Sequence, residues 1–394
     1  MSPEPVREPR RGSGRRNLLR ALTGGSAAAA LALAGPPAEA AAAGGADADP
    51  FAADAFRAVG GGRVREYWIQ ADSFAHNAVP NGRDGMTGMT FTAERTTFQA
   101  IGYRAYTPNW EQPLPADPGP QGIGPNSGIP GPVLRAEVGD VLKVHFRNND
   151  THYKWPHSMH PHGVRYTPSN DGAWMADSPD TPGTAVPYGE TYTYTWTCVP
   201  SSVGSWPYHD HAAPQTPPKP ATASDGSVPA PSPSPSMPDS MDSRAFGGDG
   251  PVMEIGAELG LFGMIAVTDA RTPEVDREFV LFFHDLSASD ATSLQQDLSL
   301  CNGGAFVGNA PTFTARSGER IRWRVATLGN SFHVFHIHGH RWLRPTGWTD
   351  SEVLGPATTL TVEYREDNPG DWLYHCHVAA HMMHGMSGVY RVTR

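Results

Sequence analysis

The chain has 394 residues, enough for two or three domains, and is rich in turn formers, with 43 Gly and 38 Pro. No long amphipathic helical pattern appears, so composition favours an all-β protein and speaks against a helical bundle. The net charge is −10 and becomes −13 once residues 1–40, with six Arg against three acids, are set aside. Such an acidic chain argues against nucleic acid or an anionic membrane surface as partner.

Residues 1–40 read as an export signal. Arg15-Arg16-Asn17-Leu18-Leu19-Arg20 resembles a twin-arginine motif, Ala21 to Ala34 is weakly apolar, and Ala38-Glu39-Ala40 fits a small-residue cleavage site. A basic tail is the competing reading. The apolar run is too short for a stable membrane span, so the expected location is extracytoplasmic or secreted. Residues 41–64 are Ala/Gly/Asp-rich and are expected to be flexible.

Structure is expected from about Arg65. Pro130 to Asp140 reads as a turn, a strand and a Gly-Asp turn, and Val141 to Asn148 alternates as a strand. Thr191 to Thr197 alternates again, with Tyr192, Tyr194 and Trp196 on one face. Gly260 to Val267 closes a first β-domain spanning 65–270. Within it, 213–250 holds Pro231-Ser232-Pro233-Ser234-Pro235-Ser236 and few apolar groups, and is expected to be a disordered insertion. Met237, Met241 and Met253 suggest either copper capture or an ordinary solvated loop. A second β-domain, 273–394, opens with the apolar strand Phe279 to Phe283. Pro311 to Val325 then repeats the strand, Gly-acid turn and strand order of 132–146. The link near Asp269 to Glu274 is too short for a middle domain.

The chemistry concentrates in histidine. Four His-x-His pairs occur: His160/His162, His209/His211, His336/His338 and His375/His377. On a strand, residues i and i+2 share a face, so each pair presents two imidazoles together. One such pair is more often structural. Four are better matched to a copper cluster than to a closed zinc site, which takes four ligands. The last pair is split by Cys376 and followed by His381 and Met386, and thiolate, imidazole and thioether are the ligand types of a blue-copper site. His333 lies three residues before His336, so strand parity puts it on the face of Cys376 and His381. Parity thus sorts the ligands into two sites: His333, Cys376, His381 and Met386, and the eight paired His. The other seven His (76, 145, 152, 157, 284, 340 and 384) are read as structural, with His340 and His384 as candidates for supporting the ligands. Cys198 and Cys301, the remaining cysteines, are either a disulfide, the preferred reading, or two buried thiols.

These four motifs resemble those of the multicopper oxidases, and the length resembles the two-domain bacterial (small) laccases. The resemblance covers most of the chain from residue 65, apart from the Pro/Ser insertion. It implies two cupredoxin-like Greek-key β-sandwich domains and four coppers per chain. The type 1 copper would take His333, Cys376, His381 and Met386. His160 and His336 would hold type 2 copper. His162, His209 and His377 would hold one type 3 copper, and His211, His338 and His375 the other. The resemblance further implies a laccase-like oxidation of phenols coupled to reduction of O2 to two waters, and a homotrimer whose clusters lie between subunits. Asp210 stands where a first-domain type 1 Cys would stand, which separates the chain from copper nitrite reductases. Asp171, eleven residues past His160, resembles an acid near type 2 copper, with an ordinary Asx turn as its alternative. Tyr166 resembles a tyrosine near the cluster, as redox reserve or as core packing. Met382, Met383 and His384 keep open a metallo-oxidase acting on Cu(I) or another metal ion. A non-catalytic electron carrier would not need the eight paired His.

Overall fold

The computed structural model describes residues 60–115, 126–213, 255–288, 290, 291 and 293–394. The export signal, the stretch up to residue 59 and most of the Pro/Ser segment, with Met237, Met241 and Met253, lie outside these residues. The first group of strands is β1 (Val64–Asn77), β2 (Thr97–Tyr106), β3 (Leu134–Glu137), β4 (Val141–Asn149), β5 (His160–Pro161), β6 (Thr191–Thr197), β7 (Gly204–His209) and β8 (Phe262–Thr268). The second is β9 (Arg277–Leu286), β10 (Leu298–Cys301), β11 (Thr312–Arg316), β12 (Arg320–Leu328), β13 (His333–Ile337), β14 (Trp342–Arg344), β15 (Gly347–Thr349), β16 (Ser351–Leu354), β17 (Thr359–Arg365), β18 (Gly370–Cys376) and β19 (Ser387–Thr393). Among the described residues, three short α-helices accompany them: α1 (Ala93–Thr96), α2 (Ile255–Glu258) and α3 (Ala379–Met383). No helix among the described residues is long and apolar enough to cross a membrane.

The strands form an all-β architecture of two sandwiches. Sheet orders β2-β1-β4-β6 and β3-β8-β7-β5 build the first; β10-β9-β12-β17 and β11-β19-β18-β13-β16 build the second. The two share one plan. Each has an antiparallel pair (β1/β2, β9/β10), a parallel neighbour (β4, β12) and a parallel closing pair (β3/β8, β11/β19). The repeat between 132–146 and 311–325 is thus the sequence trace of a duplicated sandwich. Gly139 and Gly318, with φ of +96° and +93°, make the matched turns between the repeated strands.

Alternation explains which faces are buried. In β6, Tyr194 and Trp196 point inward and the threonines between them are exposed or half-buried. β9 is apolar at every position from Phe279 to Phe283 because both its faces are covered. Phe279, Leu281 and Phe283 enter the core of the second sandwich, whereas Val280 and Phe282 join the core of the first. Phe282 packs on Phe262 with ring centroids 5.0 Å apart. The sandwiches therefore share apolar contacts across β9, and an ion network adds to them. Glu278 pairs with Arg135 of β3 at 2.6 Å and with Arg324 at 2.8 Å, and Arg324 also donates to Ser205 Oγ.

The cysteine expectation is corrected. Cys198 and Cys301 are buried free thiols, not a disulfide. They lie in different apolar cores, and burial pushes both thiols up, Cys198 to about 12.

Candidate metal centre

β13 and β18 are antiparallel neighbours in register, with His336 opposite His375 and Phe335 opposite Cys376. That register puts His333 and Cys376 on the inner face and His336, His338 and His375 together on the other. α3 carries His381 back toward the thiol. Gly385, at φ +116° and packed against Ala305, then turns the chain into β19 and brings in Met386. Cys376 Sγ lies 3.9 Å from His333 Nδ1 and 3.6 Å from His381 Nδ1, and accepts from Val334 N at 3.3 Å. Met386 is fully buried in the same apolar cluster as Cys376, and its backbone receives Cys376 N and donates to His381 O. Burial works against a thiolate here, but the two imidazoles and two backbone N–H groups outweigh it and draw Cys376 down to about 6. Asp285 Oδ2 stands 3.3 Å from the outer nitrogen of His333 and accepts from Ser299 Oγ on its other oxygen.

Four imidazoles gather beside this group. His338 Nε2 and His375 Nε2 are 3.1 Å apart, and the rings of His336 and His377 lie 5.3 and 5.4 Å from that of His375. The first sandwich repeats the arrangement. β5 and β7 set His160 opposite His209, His162 Nε2 lies 3.1 Å from His209 Nε2, and the His211 ring is 5.2 Å from that of His160. The Gly after each pair explains part of this match. Gly163 and Gly339 adopt φ of +69° and +71° where any Cβ would strike Trp206 or Trp372.

The donor set fits a metal. His160 Nδ1 donates to Asp171 O, His336 Nδ1 to Asp350 O, His209 Nδ1 to Asp210 O and His375 Nδ1 to Cys376 O. A carbonyl can only accept, so each of these rings carries its proton on Nδ1 and offers a bare Nε2. Burial first, then neighbouring imidazoles, lowers His162 to about 4; burial lowers His209 to about 4 as well. Neutral, convergent nitrogens at neutral pH are what a cation requires. Among the described residues, three groups have donors close enough to hold an ion: His160/His162/His209, His333/Cys376/His381 and His336/His338/His375.

The other candidates fall out as follows. Asp171 holds His160 through its carbonyl at 2.7 Å, and its carboxylate is 3.3 Å from the same nitrogen. Tyr166 hydrogen-bonds Asp171 and lies edge-on to His160 at 6.2 Å. His340 supports a ligand, donating to His338 O while Glu366 holds its other nitrogen at 3.0 Å. His384 is exposed. His76 bonds Gly303 O, His145 approaches Glu66, and His284 accepts from Gly303 N, all structural roles. Sequence reading missed Asp285, which carries no motif, and undervalued His157. The signal for His157 was present: it precedes His160 by three residues, as His333 precedes His336.

Two family models agree with this geometry. Both are described as multicopper oxidase; one matches residues 110–223 and the other 283–394, together more than half of the chain. The chain belongs to the multicopper oxidase family. It is 28% identical to Ferroxidase HEPHL1 of Homo sapiens over 388 residues, which is 84% of this chain and 29% of that protein. Ceruloplasmin of Homo sapiens is 24% identical over 85% of this chain and 33% of its own length. This multicopper oxidase thus spans about three tenths of the length of the curated relatives it matches. Solved structures give the fold. A multicopper oxidase crystal structure aligns at a TM-score of 0.55 with 20% identity, covering 84% of this chain and 89% of that one. A copper nitrite reductase from Nitrosomonas europaea gives 0.55 and 18%, covering 84% and 94%. Membership of the family implies copper as the metal, and the thiolate, imidazole and thioether donors suit it.

Proposed function

We propose that this multicopper oxidase takes electrons singly from a phenolic or similar reducing substrate and couples four such oxidations to reduction of O2 to two waters. The observation that carries the reading is the run His375-Cys376-His377: a buried thiolate of one ligand group is covalently continuous with imidazoles of another. In this reading His333, Cys376, His381 and Met386 hold type 1 copper, His160 and His336 type 2, and His162, His209 and His377 with His211, His338 and His375 the type 3 pair. Bound copper supplies the one-electron chemistry and the site of O2 reduction.

The chain's own groups manage protons. Burial, then the Asp171 charge, pushes Tyr166 up to about 12, so its hydroxyl keeps its proton beside His160. Asp171 joins that hydroxyl to the His160 ring and is the candidate for passing protons toward oxygen. Tyr166 is the candidate redox reserve.

The two imidazole quartets support a homotrimer with clusters between subunits. Among the described residues, His160, His162 and His209 form one potential metal group and His336, His338 and His375 another. His338 and His377 are exposed, and Leu343 (65%), Trp348 (68%) and Val353 (73%) form an exposed apolar rim around the β14–β16 segment that abuts His336. A second copy offering its first-sandwich quartet would complete the ligand set. Export through the twin-arginine motif of residues 1–40 fits an oxidase that receives its metal before release.

One observation favours a second substrate class. The relatives include a protein named ferroxidase, and Met383 and His384 are exposed two and three residues from His381. O2 uptake with a phenol, compared with Fe(II) and Cu(I) at matched concentration, decides between them. About four coppers per chain by elemental analysis and O2 uptake with any of these donors support the reading, whereas a copper-loaded protein that consumes no O2 sinks it.

A further inference from the structure

The first sandwich contains a copy of the Cys376 site with a different chemistry inside it. His157 stands before His160 as His333 stands before His336, and Asp210 lies between His209 and His211 as Cys376 lies between His375 and His377. Three of its contacts have counterparts. Val334 N donates to Cys376 Sγ at 3.3 Å, and Ser158 N donates to Asp210 Oδ1 at 2.8 Å. His333 Nδ1 faces Cys376 Sγ at 3.9 Å, and His157 Nδ1 meets Asp210 Oδ2 at 2.8 Å. The outer nitrogen of His333 meets Asp285, and that of His157 meets Asp150 Oδ2 at 3.2 Å. α2 closes the free side of the carboxylate: a Cβ on Gly256 would lie 2.0 Å from Asp210 Oδ2.

This pocket is buried and its polar groups are hydrogen-bonded. The side chains of Asp150, His157 and Asp210 are 0%, 1% and 2% exposed. Burial opposes charge on His157, but the two carboxylates outweigh it and push its pKa up to about 9. Asp210 Oδ1 also accepts from Ala212 N and Ser158 Oγ, and Ser158 Oγ accepts from His211 N. Asp150 accepts from the backbone N–H groups of His152, Tyr153 and Trp155. The triad therefore ties the segment leading to His160 and His162 to the peptide carrying His209 and His211.

We propose that the Asp150–His157–Asp210 triad is a positioning device that does in the first sandwich, without metal, what the type 1 ligand set does in the second: it locks two pairs of imidazoles into a preformed half-site. The inference rests on the reading that these imidazoles hold copper. Supporting groups of this kind alter metal affinity by about 10- to 100-fold when removed. The Cys376 site provides an internal control because it lies in the other sandwich.

The test is copper titration of the metal-free full-length protein and its D210N, H157Q and D210N/H157Q variants. Readouts are the blue band of the Cys376 site and the electron paramagnetic resonance signal of imidazole-bound copper. Both single variants should keep the blue band while binding copper at the imidazoles at least 10-fold more weakly, with an altered signal. The double variant should lose no more than the worse single one, because both remove one link. D150N takes the place of D210N if that variant does not fold. Unchanged affinity and signal in both singles, strictly additive losses, or parallel loss of the blue band would each overturn the proposal. A wild-type protein that binds copper only at Cys376 would sink the assignment of the imidazole quartets, and this proposal with it.

Discussion

At the scale of residues, parity on a strand does most of the sorting. Cys376 is drawn toward the thiolate by His333, His381 and two backbone N–H groups even though burial opposes it. Replacing it with Ser keeps the size and removes the soft donor. C376S should lose the blue band and O2 uptake with any donor, yet keep the resonance signal of imidazole-bound copper; a surviving blue band would disprove the assignment. Asp171 offers a finer test because its two roles are carried by different atoms. The carbonyl orients His160 and the carboxylate faces the Tyr166 hydroxyl. D171N preserves the first and removes the basic oxygen. O2 reduction should then slow by on the order of 100-fold, with copper content unchanged. A rate within about twofold of wild type would leave Asp171 as the turn residue that its backbone geometry also allows.

At the scale of elements, the sequence exposes whatever alternates or repeats and hides whatever depends on distant partners. β6 is legible from Thr191 to Thr197 because half its positions face water. β9 is legible as an apolar run, but nothing local says that its two faces serve two different cores. β14 to β16 carry no period-2 signal, so the β14–β15 hairpin and the pairing of β16 with His336 are found only in three dimensions. The eight paired His and the Cys376 set follow from spacing alone. Asp285 and Asp150 do not, since each meets its histidine through tertiary contact. The double duty of β9 predicts a cost. Phe282 is fully buried between Phe262 and the strand behind it. F282A should destabilise by about 3–5 kcal/mol in denaturant titration, larger than an ordinary surface change, and a loss under about 1 kcal/mol would show that the sandwiches pack independently there.

At the scale of the whole molecule, charge and apolar surface act on different joints. Glu278 links the sandwiches, and although burial opposes its ionisation, Arg324 and Arg135 outweigh it and pull its pKa from 4.5 to about 2. A folded pKa below the unfolded one gives stability that is present above pH 4.5 and lost as pH falls toward 2. E278Q should cost about 3 kcal/mol at neutral pH, since it leaves Arg324 buried without its countercharge, and should flatten the acid limb of the stability curve. The joint proposed between subunits is apolar instead. Trp348 is 68% exposed on β15, two residues before Asp350, whose carbonyl accepts from His336 Nδ1, and the first quartet lies in the other sandwich. If a neighbouring chain covers it, a charge at that position must be desolvated on assembly, which the interface cannot repay. W348E should therefore sediment as a monomer where the wild type, in this reading, should sediment as a trimer. The monomer should retain the blue band, because His333, Cys376, His381 and Met386 all belong to one chain. It should lose O2 uptake, because each quartet then lacks its partner. A monomeric W348E with full copper and undiminished O2 uptake would mean that the quartets meet within one chain, and the intersubunit reading would fall.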